Sequence, residues 1–225
     1  MNRLPISLTR QIPNPNIYVK MLPEYKNWIY LEEEAPLHKG KWVDVFNETR
    51  LPLDLEIGCG NGFFFEHQVR NNLSRNLLGI ELKYKPLVQT VRRVKRLNLT
   101  NGKGLRFNAQ FINLIFEKEE LDNVYIYFPD PWPKTRQLKN RLLRREFLNN
   151  LFSLQKTDCF VDFKTDSKNY FDFVSDEVKF TPFAVGRYSE DLHKSNFASE
   201  NFMTSFEKIF SKKNQPIYYM RWVKT

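Results

Sequence analysis

From Pro52 onward the chain alternates short apolar runs with longer stretches of helical period, and this alternation limits what it can fold into. Residues 53–57, 77–82, 104–109, 124–128 and 160–163 read as strands. Residues 63–72, 86–98, 137–154 and 167–178 read as helices, and 111–115 as a weak turn. In 86–98, Leu87, Val88, Val91, Val94 and Leu97 recur at spacings of three and four, the stripe of a helix with one buried face. Strand, helix, strand repeated this often implies βαβ units and a parallel sheet. The tail differs: 183–188 and 217–223 look like strands with a short helix near 202–210 between them, suited to an antiparallel pair. The expectation is an α/β fold with a mostly parallel seven-stranded sheet, helices on both faces, and an antiparallel pair at the C-terminus. Five of the 12 prolines lie in the first 36 residues, so 1–50 reads as an extension and 51–225 as the folded domain. That extension is either a strap packed on the surface or an arm that helps hold a substrate.

Glycine is scarce, eight in 225 residues, yet Gly58, Gly60 and Gly62 fall together in DLEIGCGNG, after a strand and before a helix. Glycines at such a turn let backbone pass close to a bound group and aim amide N–H groups at it. The dinucleotide fingerprint is GxGxxG, whereas the spacing here is GxGxG with Glu56 two residues ahead of it. A carboxylate repels a pyrophosphate and attracts a sulfonium with an α-amino group, which favours S-adenosylmethionine as cofactor. Glu81, ending the next strand, is placed to accept both ribose hydroxyls, and Asn108, ending the third, to reach the adenine.

The fourth strand runs into YFPDPWPK, where Pro129, Pro131 and Pro133 fix the backbone as it leaves the sheet. Ligands of open α/β sheets bind at that edge, so Asp130 and Trp132 are positioned side chains. Then follow Lys134, Arg136, Lys139, Arg141, Arg144 and Arg145 with no acidic residue among them. With Leu138, Leu142 and Phe147 as the buried stripe, these cations would lie on the outer face of a helix and contact an RNA backbone. A second tract, Lys83, Lys85, Arg92, Arg93, Lys95 and Arg96, follows the second strand. Lys and Arg number 35 against 26 Asp and Glu, a net charge of +9 that favours a polyanionic partner.

Other classes are set aside. Cys59 and Cys159 form no CxxC and no His/Cys cluster, so no metal site is expected and a reducing cytoplasm is the simpler setting. MNRLPISLTRQIPNPN has no continuous apolar stretch, hence no secretory signal, and no run approaches the ~18 apolar residues of a membrane span. His38, His67 and His193 are scattered and take no catalytic part. No obligate protein partner is expected; monomer and homodimer both stay open.

GCGNG, FPDPWPK with its basic continuation, FKTD (163–166), TSFE (204–207) and QPIY (215–218) together resemble the bacterial tRNA (guanine-N7)-methyltransferase family, over roughly residues 52–222. The resemblance implies a Rossmann-like class I methyltransferase fold, S-adenosylmethionine, and methylation of the guanine at position 46 in the variable loop of tRNA. It also implies that Glu56, Glu81, Asn108 and Asp130 are cofactor-site positions, with Asp130 catalytic as well. Lys134, Asp166, Thr204, Ser205, Phe206 and Glu207 resemble the substrate-contacting positions. Two departures stand out. The family's RHxKRR is replaced after Arg136 by Gln137, Leu138, Lys139, Asn140 and Arg141, and a usual glycine is Asn214, which tolerates a left-handed turn. Rival readings are a class I methyltransferase on another RNA or DNA target, disfavoured because DPW lacks one proline of the (D/N)PP(aromatic) loop, an RNA-binding module with a vestigial pocket, and a nicotinamide oxidoreductase.

Overall fold

The computed structural model describes residues 15–225. Residues 1–14, with Pro5, Pro13 and most of the segment read as lacking a secretory signal, lie outside the described residues. The elements in chain order are α1 (Ile17–Lys20), β1 (Ile29–Tyr30), β2 (Leu53–Ile57), α2 (Phe63–Asn71), β3 (Asn76–Ile80), α3 (Tyr84–Arg96), β4 (Gly102–Leu105) and β5 (Val124–Tyr127). They continue with α4 (Arg145–Leu154), β6 (Cys159–Thr165), α5 (Lys168–Val178), β7 (Ala184–Ser189), α6 (Ser205–Ser211) and β8 (Tyr218–Lys224).

The strands form one sheet in the order β1-β4-β3-β2-β5-β6-β8-β7. β1 through β6 pair in parallel, and β8 runs antiparallel to both β6 and β7. The sheet therefore has eight strands rather than the seven expected. The extra one is Ile29–Tyr30, which extends the far edge by pairing with Gly104 and Leu105. Its two residues are too short to carry a period, so the pattern of the sequence does not announce it.

Residue alternation sorts the two faces. Leu55, Ile57, Leu78, Ile80, Val124, Ile126, Val161 and Phe163 face one way and pack under α4, α5 and Trp42. Leu77 and Tyr125 face the other way, against Phe65 and Val69 of α2. Every residue of β2 is buried, as a strand covered on both faces requires.

One element differs outright from its expectation. The segment expected as a helix over 137–154 is a 3-10 turn, Thr135–Asn140, then an extended stretch, and only then α4. Leu138 and Leu142 are half-buried, while Leu143 is the side chain that reaches the core. Tyr170 Oη accepts the Leu143 amide at 3.1 Å, holding the chain extended where a helix would have kept that amide for itself.

Candidate active site

Because β4, β3, β2, β5 and β6 are parallel neighbours, the residues that follow them emerge along one edge. In spatial order these are Asn108, Glu81, Gly58–Gly62, Asp130 and Asp166, each strand about 4.8 Å from the next. The chain goes from β2 outward to β3 and β4, then crosses back to β5 on the other side of β2. The switch point, where such sheets open a crevice, thus lies between the glycine turn and Asp130.

The three glycines do different work. A Cβ on Gly58 would meet nothing within 4 Å, so the space above it is open, whereas on Gly62 it would stand 2.5–2.8 Å from Thr90 of α3. Gly58 is cradle and Gly62 is packing. Four of the turn's five amides are engaged within the protein. Gly58 and Cys59 both donate to Ile80 O, Gly62 donates to Cys59 O, and Gly60 donates to Glu81 Oε2 at 3.2 Å. The expectation of amides aimed at a ligand is corrected accordingly. The turn offers close approach to backbone beside a carboxylate, which suits a cationic group better than a phosphate.

Glu56 lies beneath this turn, 4% exposed, and its Oε2 is buried with no hydrogen-bond partner. Burial, and then the charge of Glu81, push its carboxyl up to about 8. An acceptor buried without a donor is costly, and a cationic ligand resolves that cost. Glu81 is half-buried and already accepts from two amides, Gly60 and Lys83. Asn108 is three residues past the last residue of β4, not at its end, and its Oδ1 caps the following turn through Gln110 N at 3.1 Å. Open space over Gly58, an orphan acid below it and a carboxylate at the next strand end fit S-adenosylmethionine.

Across the crevice, Phe128 (φ 55°) and Trp132 (φ 43°) flank Pro129 and Pro131 in left-handed backbone, a region bulky residues rarely occupy. Asp130 is exposed between them and Trp132 is half-buried. The Phe128 ring stacks on Phe206 and Phe210, joining this loop to α6.

Several expected substrate or RNA contacts are turned inward. Arg141 is 3% exposed, donating to Pro131 O and to Asn169 Oδ1, so it is not available to an RNA backbone. Thr204 and Glu207 form a capping box at the start of α6. Glu207 is fully buried, accepting from Asn201 Nδ2 at 2.8 Å and lying 3.4 Å from Lys164 Nζ and 3.3 Å from His193 Nε2, which removes it from a guanine edge. Asp166, Ser205 and Phe206 are exposed, as are Lys134, Arg136, Lys139, Arg144 and Arg145. In the second basic tract, Arg92 bonds Tyr25 Oη, Arg93 bonds Asn61 O and the exposed Lys95 bonds Glu24 O, while Lys83, Lys85 and Arg96 are exposed without such bonds. Asn214 adopts the left-handed conformation expected of it, φ 52°.

Arg106 carries no motif or periodic signal that singles it out in the sequence. Two residues before Asn108, it pairs with Glu32 at 2.6 Å and lies 3.9 Å over the Tyr84 ring, bordering the Glu81–Asn108 end of the crevice. Among the described residues no group of three or more His, Cys, Asp or Glu is placed to hold a metal, and no helix is long and apolar enough to cross a membrane.

A family described as "Putative methyltransferase" matches residues 50–220. The tRNA (guanine-N(7)-)-methyltransferase of Bdellovibrio bacteriovorus is 44% identical over 200 residues, 88% of this chain and 96% of that protein. The chain belongs to the tRNA (guanine-N7)-methyltransferase family. The Bacillus subtilis member is 34% identical over 88% of this chain and 96% of its own length. A solved 16S rRNA methyltransferase, KamB, superposes with a TM-score of 0.56 at 12% identity, covering 77% of this chain and 88% of that one, a likeness of fold. Membership in this family agrees with the site's own geometry, in which acid and glycine stand on one side of the switch point and a braced Asp130 on the other.

Proposed function

We propose that this chain transfers a methyl group from S-adenosylmethionine to N7 of the guanine at position 46 in the tRNA variable loop. The observation that carries the reading is the buried acceptor of Glu56 under the open face of Gly58, set beside the FPDPW loop on the neighbouring strand end. Glu56, Gly58, Gly60, Glu81, Asn108 and Asp130 hold the cofactor, which when bound supplies the methyl as an electrophile on a sulfonium. Guanine N7 carries an in-plane lone pair and no proton, so the protein needs no general base. Its work is to align N7 at near-attack distance. Asp130, exposed on a loop with three prolines, favours the purine as it gains positive charge, or holds its N1–H and N2–H₂ edge. Asp166 and Phe206 border the same site from β6 and α6. Lys134, Arg136, Lys139, Arg144 and Arg145 bind phosphates. A soluble cytoplasmic enzyme working on tRNA, without a membrane, fits these features. The retained acid of Glu56 argues against a vestigial pocket.

The test is methylation of unmodified tRNA followed by nucleoside mass spectrometry and mapping. The expected product is 7-methylguanosine at position 46. Absence of that nucleoside, or its placement elsewhere, overturns the proposal. Asp130→Ala is expected to lower kcat by about two to three orders of magnitude while calorimetry still detects donor binding. Near-normal turnover would remove Asp130 from the reaction.

A further inference from the structure

We propose that Arg141 is a positioning residue: it clamps the Phe128–Trp132 loop to the first turn of α5 and so sets Asp130 and Asp166 relative to each other. This rests on the reading of Asp130 as the acid nearest the reacting purine. Its guanidinium donates through Nε to Pro131 O at 2.8 Å and through Nη2 to Asn169 Oδ1 at 2.5 Å. Its Cζ lies 5.0 Å from the centroid of the Tyr170 ring and 4.7 Å from that of the Phe173 ring. Pro131 follows Asp130 directly, and Asn169 is the third residue after Asp166. One side chain thus bonds to both strand-end segments that carry an exposed acid.

The loop needs such a partner. Pro129, Pro131 and Pro133 have no amide to donate, so the loop can build few hydrogen bonds of its own. Left-handed backbone at Phe128 and Trp132 is kept only where surroundings over-determine it. Arg141 contacts the carbonyl between Asp130 and Trp132. Lysine cannot replace it, because its ammonium is a point charge on a flexible stem and not a planar fork that stacks on rings. The charge is not there for RNA, since 3% exposure leaves no room for a phosphate.

Arg141→Lys and Asn169→Ala test the clamp by two routes. Asn169→Ala leaves the Pro131 bond in place and guards against simple misfolding of the first variant. Thermal melts establish that each is folded. Amide exchange at Phe128, whose N–H donates to Lys164 O at 2.8 Å, kcat, and the salt dependence of KM for tRNA are then measured. We expect faster exchange at Phe128 in both variants, and a kcat loss of about tenfold to a hundredfold in Arg141→Lys, smaller in Asn169→Ala. The slope of log KM against log salt should not change. Wild-type exchange and kcat in folded Arg141→Lys overturns the clamp. So does an Arg141→Ala variant whose salt slope drops by roughly one unit, the mark of a lost phosphate contact. If the unaltered protein makes no 7-methylguanosine, the functional reading fails by itself, and the exchange measurement still decides the clamp.

Discussion

At the scale of single residues, Glu56 has the environment with the sharpest consequence. Unfolded, its carboxyl titrates near the ordinary 4.5; folded, it is pushed up to about 8 by burial and then by Glu81. Between those values the folded chain holds a proton that the unfolded chain has lost. The stability due to this group is full below 4.5, falls as pH rises, and is gone above 8. Glu56→Gln should therefore melt with the parent at pH near 5 and melt higher at pH near 9, by a difference on the order of a few kcal/mol. Equal melting of the two proteins across that range would refute it. A cationic donor binds the carboxylate form, so affinity measured by calorimetry should climb with pH toward 8, by up to about tenfold per unit, and the climb should vanish in Glu56→Gln. Glu56 was legible in the sequence because its meaning comes from the glycines beside it. Arg141 was not. It sits in a run of six cations, and what singles it out is Asn169 on another element, 28 residues away.

Among elements, the glycine turn shows how one motif divides its labour. Three glycines at alternate positions read alike in the sequence. The neighbours separate them, since Thr90 on α3 closes over Gly62 and bonds Gly60 O at 2.9 Å, while nothing covers Gly58. Gly62→Ala should cost about 2–4 kcal/mol, from left-handed backbone at φ 75° together with a clash against α3. Gly58→Ala should cost only about 1–2 kcal/mol, for its φ of 79°, but weaken donor binding by narrowing the cradle. Melts paired with calorimetry separate the two; a Gly62→Ala protein as stable as the parent would mean that α3 does not hold the turn. The strand-to-helix alternation placed this turn, because a period of two or of 3.6 persists over a whole element. The stretch 134–145 shows where period misleads. Leu138, Leu142 and Phe147 sit at spacings close to helical, yet the extended path is fixed by Tyr170 and Asn169 of α5, which no local pattern contains.

For the molecule as a whole, the question is whether residues 1–50 belong to the fold. They read as an extension because prolines break any periodic pattern, and a few aromatics in irregular backbone do not disclose what they pack on. Trp42 is fully buried in the main core, its Nε1 donating to Ile115 O at 2.7 Å, and Phe46 joins the same core. Tyr25 and Ile29 cover Leu87, Val88 and Val91 of α3, and β1 completes the sheet edge next to the Arg106–Glu32 pair. Residues 25–46 thus close the core and border the Glu81–Asn108 end of the crevice, so their packing and any contact with RNA cannot be removed separately. Trp42→Ala should lower stability by about 3–5 kcal/mol. For a chain of this size that is a fall in Tm of roughly 10 °C or more. A chain beginning at residue 51 should lose the cooperative melt and expose apolar surface to a hydrophobic dye. An arm serving only RNA would give the opposite result, a truncated protein with its melt and donor affinity intact and its tRNA binding gone. Calorimetric melts of the two truncation states, each with and without S-adenosylmethionine, tell these apart, because a strap that borders the crevice takes donor binding with it.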